Sequence, residues 1–289
     1  MKTYPMDKIR NVALIAPHGA GKTSLADAML HVTEKVGRRG SVDDGSSVFA
    51  YSEEEIERKQ TVSASLAWTE FDGNKINIID TPGVDDFRGD VYAALRVVEG
   101  AIFLVKADGG FEVASENLWN LVRKTEIPTF LVVNRMSREQ ANWRETMNGI
   151  KDRVAGAAPL QLPIGSGESF EGVIDLILMK AFRFDGHHAV EMEIPADMAD
   201  AVEEAREMLI DAAANADDGL TEKYLEELTL PEEDIIAGLK KGTLEGTVYP
   251  VFFTDATSEV GVTSLLRSIT NLFPSSASRT RSEMHGFVA

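Results

Sequence analysis

Two hydrophobic patterns alternate through the first half of the chain. Short apolar runs occur at residues 11–16 (NVALIA), 65–71 (SLAWTEF), 75–80 (KINIID), 101–107 (AIFLVKA) and 128–134 (PTFLVVN). Several are near-continuous, the pattern expected of strands covered on both faces. Helix-like spacing fills the intervals from Thr23 to Val32, Asp90 to Val98 and Glu112 to Lys124. Strand–helix alternation of this kind predicts an α/β fold with a mostly parallel, doubly wound sheet.

The pattern changes near Ala158. LQLPIG and GVIDLILMKAFRF read as strands of a small second unit, and helices are expected at about 198–214, 217–228 and 231–241. In the first of these, Val202, Ala205, Leu209 and Ala212 recur at helical spacing, so one face is buried. TVYPVFF (247–253) then reads as a return strand, and Val262, Leu265, Leu266, Ile269 and Phe273 form the stripe of a last helix. The expected organisation is a discontinuous domain over 1–158 and 248–275. An α+β subdomain over 159–247 interrupts it, and a linker or frayed tail follows at 276–289.

Charge sharpens that division. The 289 residues carry a net charge of −18, and residues 160–248 alone hold 21 Asp and Glu against 6 Lys and Arg. An acidic insert repels phosphate backbones, which argues against direct nucleic-acid binding there. The absence of cysteine excludes disulfides, thiol nucleophiles and thiolate zinc sites. With neither a secretory signal nor an apolar span of 18 residues, a cytoplasmic protein away from membranes is expected; a monomer is expected as well. His187 and His188 are adjacent and alternate in direction on a strand, which disfavours a metal site.

APHGAGKT at 16–23 lies between a predicted strand and a predicted helix, the context that a phosphate-binding loop requires. The backbone N–H groups of Gly19, Ala20, Gly21, Lys22 and Thr23 can surround a β-phosphate at the positive end of the helix, with Ser24 following. Lys22 can bridge β- and γ-phosphates, and the Thr23 hydroxyl can ligate Mg²⁺. Ala16 stands where the usual pattern begins with glycine. DTPG at 80–83 ends the KINIID strand, so Asp80 can hold a magnesium-bound water and the Gly83 N–H can meet the γ-phosphate. Thr61, in ERKQTVSAS, can complete the magnesium shell from a loop that orders with the γ-phosphate.

With APHGAGKTSLADAML, ERKQTV, INIIDTPGVDDF, ALRVVEGAIFLV, NRMSREQAN and LQLPIG in this order, the chain resembles translational GTPases. The likeness is to the GTPase domain of elongation factor G, nearest the branch called elongation factor G-like proteins. It covers nearly the whole chain, including the acidic insert. The resemblance implies GTP and GDP as ligands, Mg²⁺, a P-loop NTPase fold, GTP hydrolysis and the ribosome as partner. The insert would meet the ribosomal stalk protein, although solvated acidic helix faces are the plainer reading. The family's later β-barrel and tRNA-mimicking domains do not occur in these residues, so an isolated domain, a fragment or a truncated product is expected. A ribosomal protection factor of the tetracycline-resistance type is a third possibility.

Departures from the family pattern fall on two functions. The base-reading motif Asn-Lys-x-Asp is Asn134-Arg135-Met136-Ser137 here, so the aspartate that accepts two guanine N–H bonds is a serine. Loss of charge-assisted bonds of about 1.5–3 kcal/mol each weakens the preference for guanine. Asn134 remains, the Arg135 stem can cover the purine, and the family's Ser-Ala pair is Asp255-Ala256. The Ala256 N–H is expected on the guanine carbonyl, with Asp255 as a displaced carboxylate. The water-positioning histidine after DTPG is Val84, while the two apolar gate positions are His18 and Gln60. Either hydrolysis is lost, leaving a nucleotide-dependent interaction module, or Gln60 or His18 orients the water, as a glutamine does in small GTPases.

Overall fold

A computed structural model describes residues 2–184 and 189–278. His187, His188 and the tail beyond 278 lie outside the described residues. The first strands are β1 (Ile9–Ile15), β2 (Ser65–Phe71), β3 (Asn74–Asp80), β4 (Gly100–Lys106) and β5 (Thr129–Asn134). With β6 (Ala157–Pro159) and the late strand β11 (Tyr249–Phe253), they form a seven-stranded sheet in the order β2-β3-β1-β4-β5-β11-β6. All pairings are parallel except β2 with β3, which run antiparallel.

Helices cover both faces. They are α1 (Lys22–Val32), the short α2 (Glu53–Arg58), α3 (Arg88–Leu95), α4 (Val113–Arg123), α5 (Trp143–Lys151) and the final α9 (Val262–Leu272). Strand residues alternate between two apolar clusters. Val12 and Leu14 join α1 and α9 on one face, and Ala13 and Ile15 join α3 and α4 on the other. All four are fully buried, which explains why β1 reads as an uninterrupted apolar run.

A second, antiparallel sheet follows the order β10-β9-β8-β7. Its strands are β7 (Gln161–Ile164), β8 (Gly172–Asp175), β9 (Lys180–Phe184) and β10 (Ala189–Met192). The run GVIDLILMKAFRF is thus a hairpin, broken at 176–179, where Asp175 Oδ1 accepts the N–H groups of Ile177 and Leu178 at 2.9 Å. Three acidic helices follow, α6 (Ala199–Ala214), α7 (Asp218–Glu227) and α8 (Glu232–Glu245). Val202, Leu209 and Ala213 of α6 and Ile235 and Leu239 of α8 share one apolar cluster with Leu25 and Leu265 of α1 and α9. The carboxylates sit on the outer faces, and the core continues from the phosphate-loop helix into the acidic helices. After Pro274, Ser276–Ser278 forms a turn that is tied back to the N-terminus, with Ser276 Oγ donating to Met6 O at 2.9 Å.

Candidate nucleotide site

One cleft of about 230 Å³ opens where the carboxyl ends of β1, β3, β5 and β11 meet the loops that follow them, the usual ligand position in an open parallel sheet. His18, Gly19, Gly21, Lys22, Thr23, Ser24, Gln60, Thr61, Gly83, Asn134, Arg135, Asp255 and Ala256 all line it. Ala20 is buried behind the loop, and Asp80 lies beneath it, fully buried. Ser137 is half-buried and hydrogen-bonded to Asp255, and it does not itself line the cleft. Val84 is half-buried and is not among the lining residues. Sequence reasoning missed Val42, Lys59, Arg138 and Thr257, which also face the cleft.

The phosphate loop is shaped by two left-handed glycines, Gly19 at φ 79° and Gly21 at φ 87°. Gly21 caps α1, and a Cβ there would stand 2.5 Å from Asn134 Nδ2. Such turns aim successive backbone N–H groups into one concavity that suits an anion. Lys22 is buried and donates to Ala16 O at 2.9 Å and Pro17 O at 3.3 Å, which holds its stem across the loop. Burial pushes its pKa down to about 8, against the pull of Asp80.

Three side chains from three segments converge under that loop. Thr23 Oγ1 donates to Asp80 Oδ2 at 2.6 Å, Thr61 Oγ1 donates to the same oxygen at 3.2 Å, and the two hydroxyls lie 2.9 Å apart. Asp80 Oδ1 is buried without a hydrogen-bond partner, and burial pushes the carboxyl up to about 6. An unsatisfied buried carboxylate oxygen is costly. An all-oxygen donor set next to a phosphate loop fits a hard divalent cation such as Mg²⁺, which takes few protein ligands and keeps waters and phosphate oxygens. Thr81 Oγ1 donates to Leu14 O at 2.7 Å and fastens the DTPG turn to β1. Gly83 then passes so close that a Cβ would come within 2.8 Å of the His18 backbone nitrogen.

The base end differs from expectation. Asp255 is buried, and both of its oxygens are taken. Oδ2 accepts from Ser137 N at 3.0 Å and Ser137 Oγ at 2.6 Å. Oδ1 accepts from Thr257 N and Ser258 N, each at 2.9 Å, and from Ser258 Oγ at 3.3 Å. Burial pushes the Asp255 carboxyl up, but these donors outweigh it and hold the group below the usual carboxylate range. Asp255, the expected displaced carboxylate, thus lines the cleft with its oxygens already saturated, two of the bonds coming from Ser137. The Ala256 N–H donates to Asn134 Oδ1 at 3.2 Å, not outward into the cleft. Asn134 Nδ2 donates to Ala20 O at 2.9 Å and ties the base loop to the phosphate loop. Arg135, left-handed at φ 69°, does the same, donating to Gly19 O at 2.8 Å and pairing with Asp108 Oδ2 at 3.1 Å.

Residues 7–275 match the model of the elongation factor Tu GTP binding domain family. The chain belongs to this family. It is a GTP-binding domain of the translational GTPase type, and the seven-stranded sheet with its phosphate loop is the fold expected of such a domain. The chain is also similar to a solved protein of Thermus thermophilus, at 30% identity and a TM-score of 0.88 over 93% of its own length. It spans 41% of that chain. Among the described residues no helix is long and apolar enough to cross a membrane.

Proposed function

We propose that this domain binds GTP with Mg²⁺ and acts as the nucleotide switch of an elongation factor G-like protein working with the ribosome in the cytoplasm. The observation that carries the reading is the convergence of Thr23, Thr61 and the orphaned Asp80 oxygen next to Lys22. Lys22 and the loop N–H groups hold the phosphates, and Asp80, Thr23 and Thr61 supply the oxygens for the cation. Bound Mg²⁺ would neutralise charge on the β- and γ-phosphates. Because Thr61 reaches this point from the segment after α2, a γ-phosphate ordering Thr61 would carry nucleotide state to a surface loop. The acidic faces of α6 and α8 suit a protein contact, such as the stalk, better than RNA.

Hydrolysis is assigned to Gln60 and His18, the polar side chains that share the cleft with Thr61 and Gly83. A non-hydrolysing interaction module is the second reading, favoured by Val84, whose aliphatic side chain can neither accept nor donate. Titration with GTP, GDP and ATP, then turnover with and without ribosomes, decides between them. Tight GTP binding with ribosome-stimulated turnover that Gln60→Ala or His18→Ala abolishes supports the enzyme. Tight binding without turnover leaves the module, and a lack of GTP binding overturns both.

A further inference from the structure

Lys59 ends α2 in the left-handed region, at φ 50° and ψ 44°. Helices that terminate this way usually place glycine there, because a side chain is strained in that conformation. A strained, non-glycine residue at the mouth of a ligand cleft points to a use for its side chain. The backbone around it is fixed at both ends by one buried carboxylate. Glu55 Oε1 accepts from Val62 N at 2.9 Å and Ser63 N at 3.3 Å, and Glu55 Oε2 accepts from Ser52 Oγ at 3.0 Å. The Gln60 N–H closes the helix end on Glu55 O at 3.1 Å. Between these anchors Thr61 meets Thr23, so Lys59 is held two residues from the cation-binding hydroxyl.

Lys59 lines the cleft with Gln60, Thr61 and Gly83. Its neighbour Arg58 is neutralised by Glu54 at 3.0 Å, whereas among the described residues no carboxylate pairs with Lys59. The other lysine of the cleft, Lys22, lies inside the phosphate loop against Ala16 O and Pro17 O and is the first phosphate-binding cation of the reading above.

We propose that Lys59 is a second phosphate-binding cation, which contacts the terminal phosphate of the nucleoside triphosphate and so discriminates triphosphate from diphosphate. The proposal rests on the reading of this cleft as a GTP site. A positive group beside the terminal phosphate strengthens triphosphate binding through charge-assisted hydrogen bonds and leaves the diphosphate untouched. The chain thus tolerates a strained cap in exchange for selectivity.

The test is calorimetric titration of the whole chain with GDP and with a non-hydrolysable GTP analogue, in Mg²⁺, together with thermal melts. Lys59→Gly relieves the backbone strain, so its melting temperature is expected to equal or exceed that of the wild type. Its affinity for the analogue is expected to fall roughly tenfold, the loss of one such bond, with GDP affinity within about twofold. Lys59→Arg is expected to restore the analogue. An analogue-to-GDP ratio unchanged in Lys59→Gly overturns the proposal, as does an equal loss for both nucleotides, which a purely structural role would give. Wild-type protein that binds neither nucleotide overturns the GTP reading itself, and the role of Lys59 with it.

Discussion

Ser137 donates its hydroxyl proton to Asp255 at 2.6 Å, so the carboxylate of the base site lies on the β11 loop and the hydroxyl on the β5 loop. The family pattern has these two residue types the other way round, with aspartate closing the Asn-Lys-x-Asp motif and serine before the alanine. The pair survives with its partners exchanged. Ser137 Oγ spends its proton on Asp255, which lines the cleft in front of it, and for a base edge that reaches past Asp255 it retains lone pairs, made more basic by the carboxylate, to accept an N–H. Guanine offers such donors at N1 and N2. One polarised hydroxyl replaces two charge-assisted bonds, so the expected preference for GTP over ATP is about 10–100-fold, and Ser137→Ala should remove most of it.

The exchange makes a double-mutant cycle informative. Ser137→Asp alone sets two carboxylates together, and Asp255→Ser alone leaves the Thr257 and Ser258 N–H groups without their acceptor. The double variant restores one carboxylate and one hydroxyl across the same gap. It is expected to bind GTP more tightly than either single variant, with coupling of about 0.5–3 kcal/mol. Additive losses, measured by titration with GTP, would sink the idea that the two residues act as a unit.

Asp255 also makes a statement about acid stability. Its folded pKa lies below the unfolded value, so its ionised form contributes stability that is complete above pH 3.8 and is lost as pH falls through the folded value. Asp255→Asn turns one acceptor oxygen into an amide that faces N–H donors. The expected cost is about 1–3 kcal/mol at neutral pH, shrinking toward zero below pH 4. Urea denaturation of both proteins across pH 3–7 checks this, and a difference that does not vary with pH would contradict it.

Much of this fold is legible in the sequence, for a physical reason. β1, β4 and β5 are covered on both faces, and their apolar runs say so directly. Two helices escape that reading. α2 has six residues, too few for a periodic stripe, although its capping box of Ser52 and Glu55 is a readable start signal. α5 buries Met147 and Ile150 beneath the half-buried Trp143 and begins at the Asn142 cap, but it follows the NRMS loop in a polar stretch. At the site, sequence spacing locates the phosphate-loop and DTPG residues because each is fixed by its own strand end. Spacing cannot show that Asp255 is saturated by five donors. Nor can it show that Ala256 gives its N–H to Asn134, because the loops that meet here lie more than 100 residues apart.

Gly83 tests how closely the DTPG turn must approach the phosphate loop. An added Cβ would stand 2.5 Å from Lys22 Nζ, and the nearest rigid atoms are the His18 nitrogen at 2.8 Å and its Cα at 2.9 Å. These are backbone atoms with no room to yield, so Gly83→Ala should displace the turn. The expected result is loss of triphosphate affinity by about tenfold or more and a smaller loss of diphosphate affinity, because the Gly83 N–H would meet only the third phosphate whereas the crowded Lys22 Nζ serves the second as well. Equal affinities in the variant and the wild type would show that the turn does not contact the nucleotide.

Asp80 exposes a cost that binding would offset. Its pKa is raised to about 6 by burial, so the folded protein holds that proton more tightly than the unfolded chain does. The sign follows: without cation or nucleotide, stability attributable to Asp80 falls as pH rises from about 4 to 6 and is then constant. Asp80→Asn keeps an acceptor for Thr23 and Thr61 and removes the buried charge. In chelator, the variant should therefore be more stable than the wild type by roughly 1–3 kcal/mol at neutral pH, with no advantage near pH 4. In Mg²⁺ and GTP the order should reverse, because ligand binding stabilises the wild type by about 2.7 kcal/mol at a hundredfold excess over Kd and the variant far less. Thermal melts under both conditions decide it: a variant that is less stable in chelator would show that the Asp80 charge supports the fold and is not held in reserve for a cation.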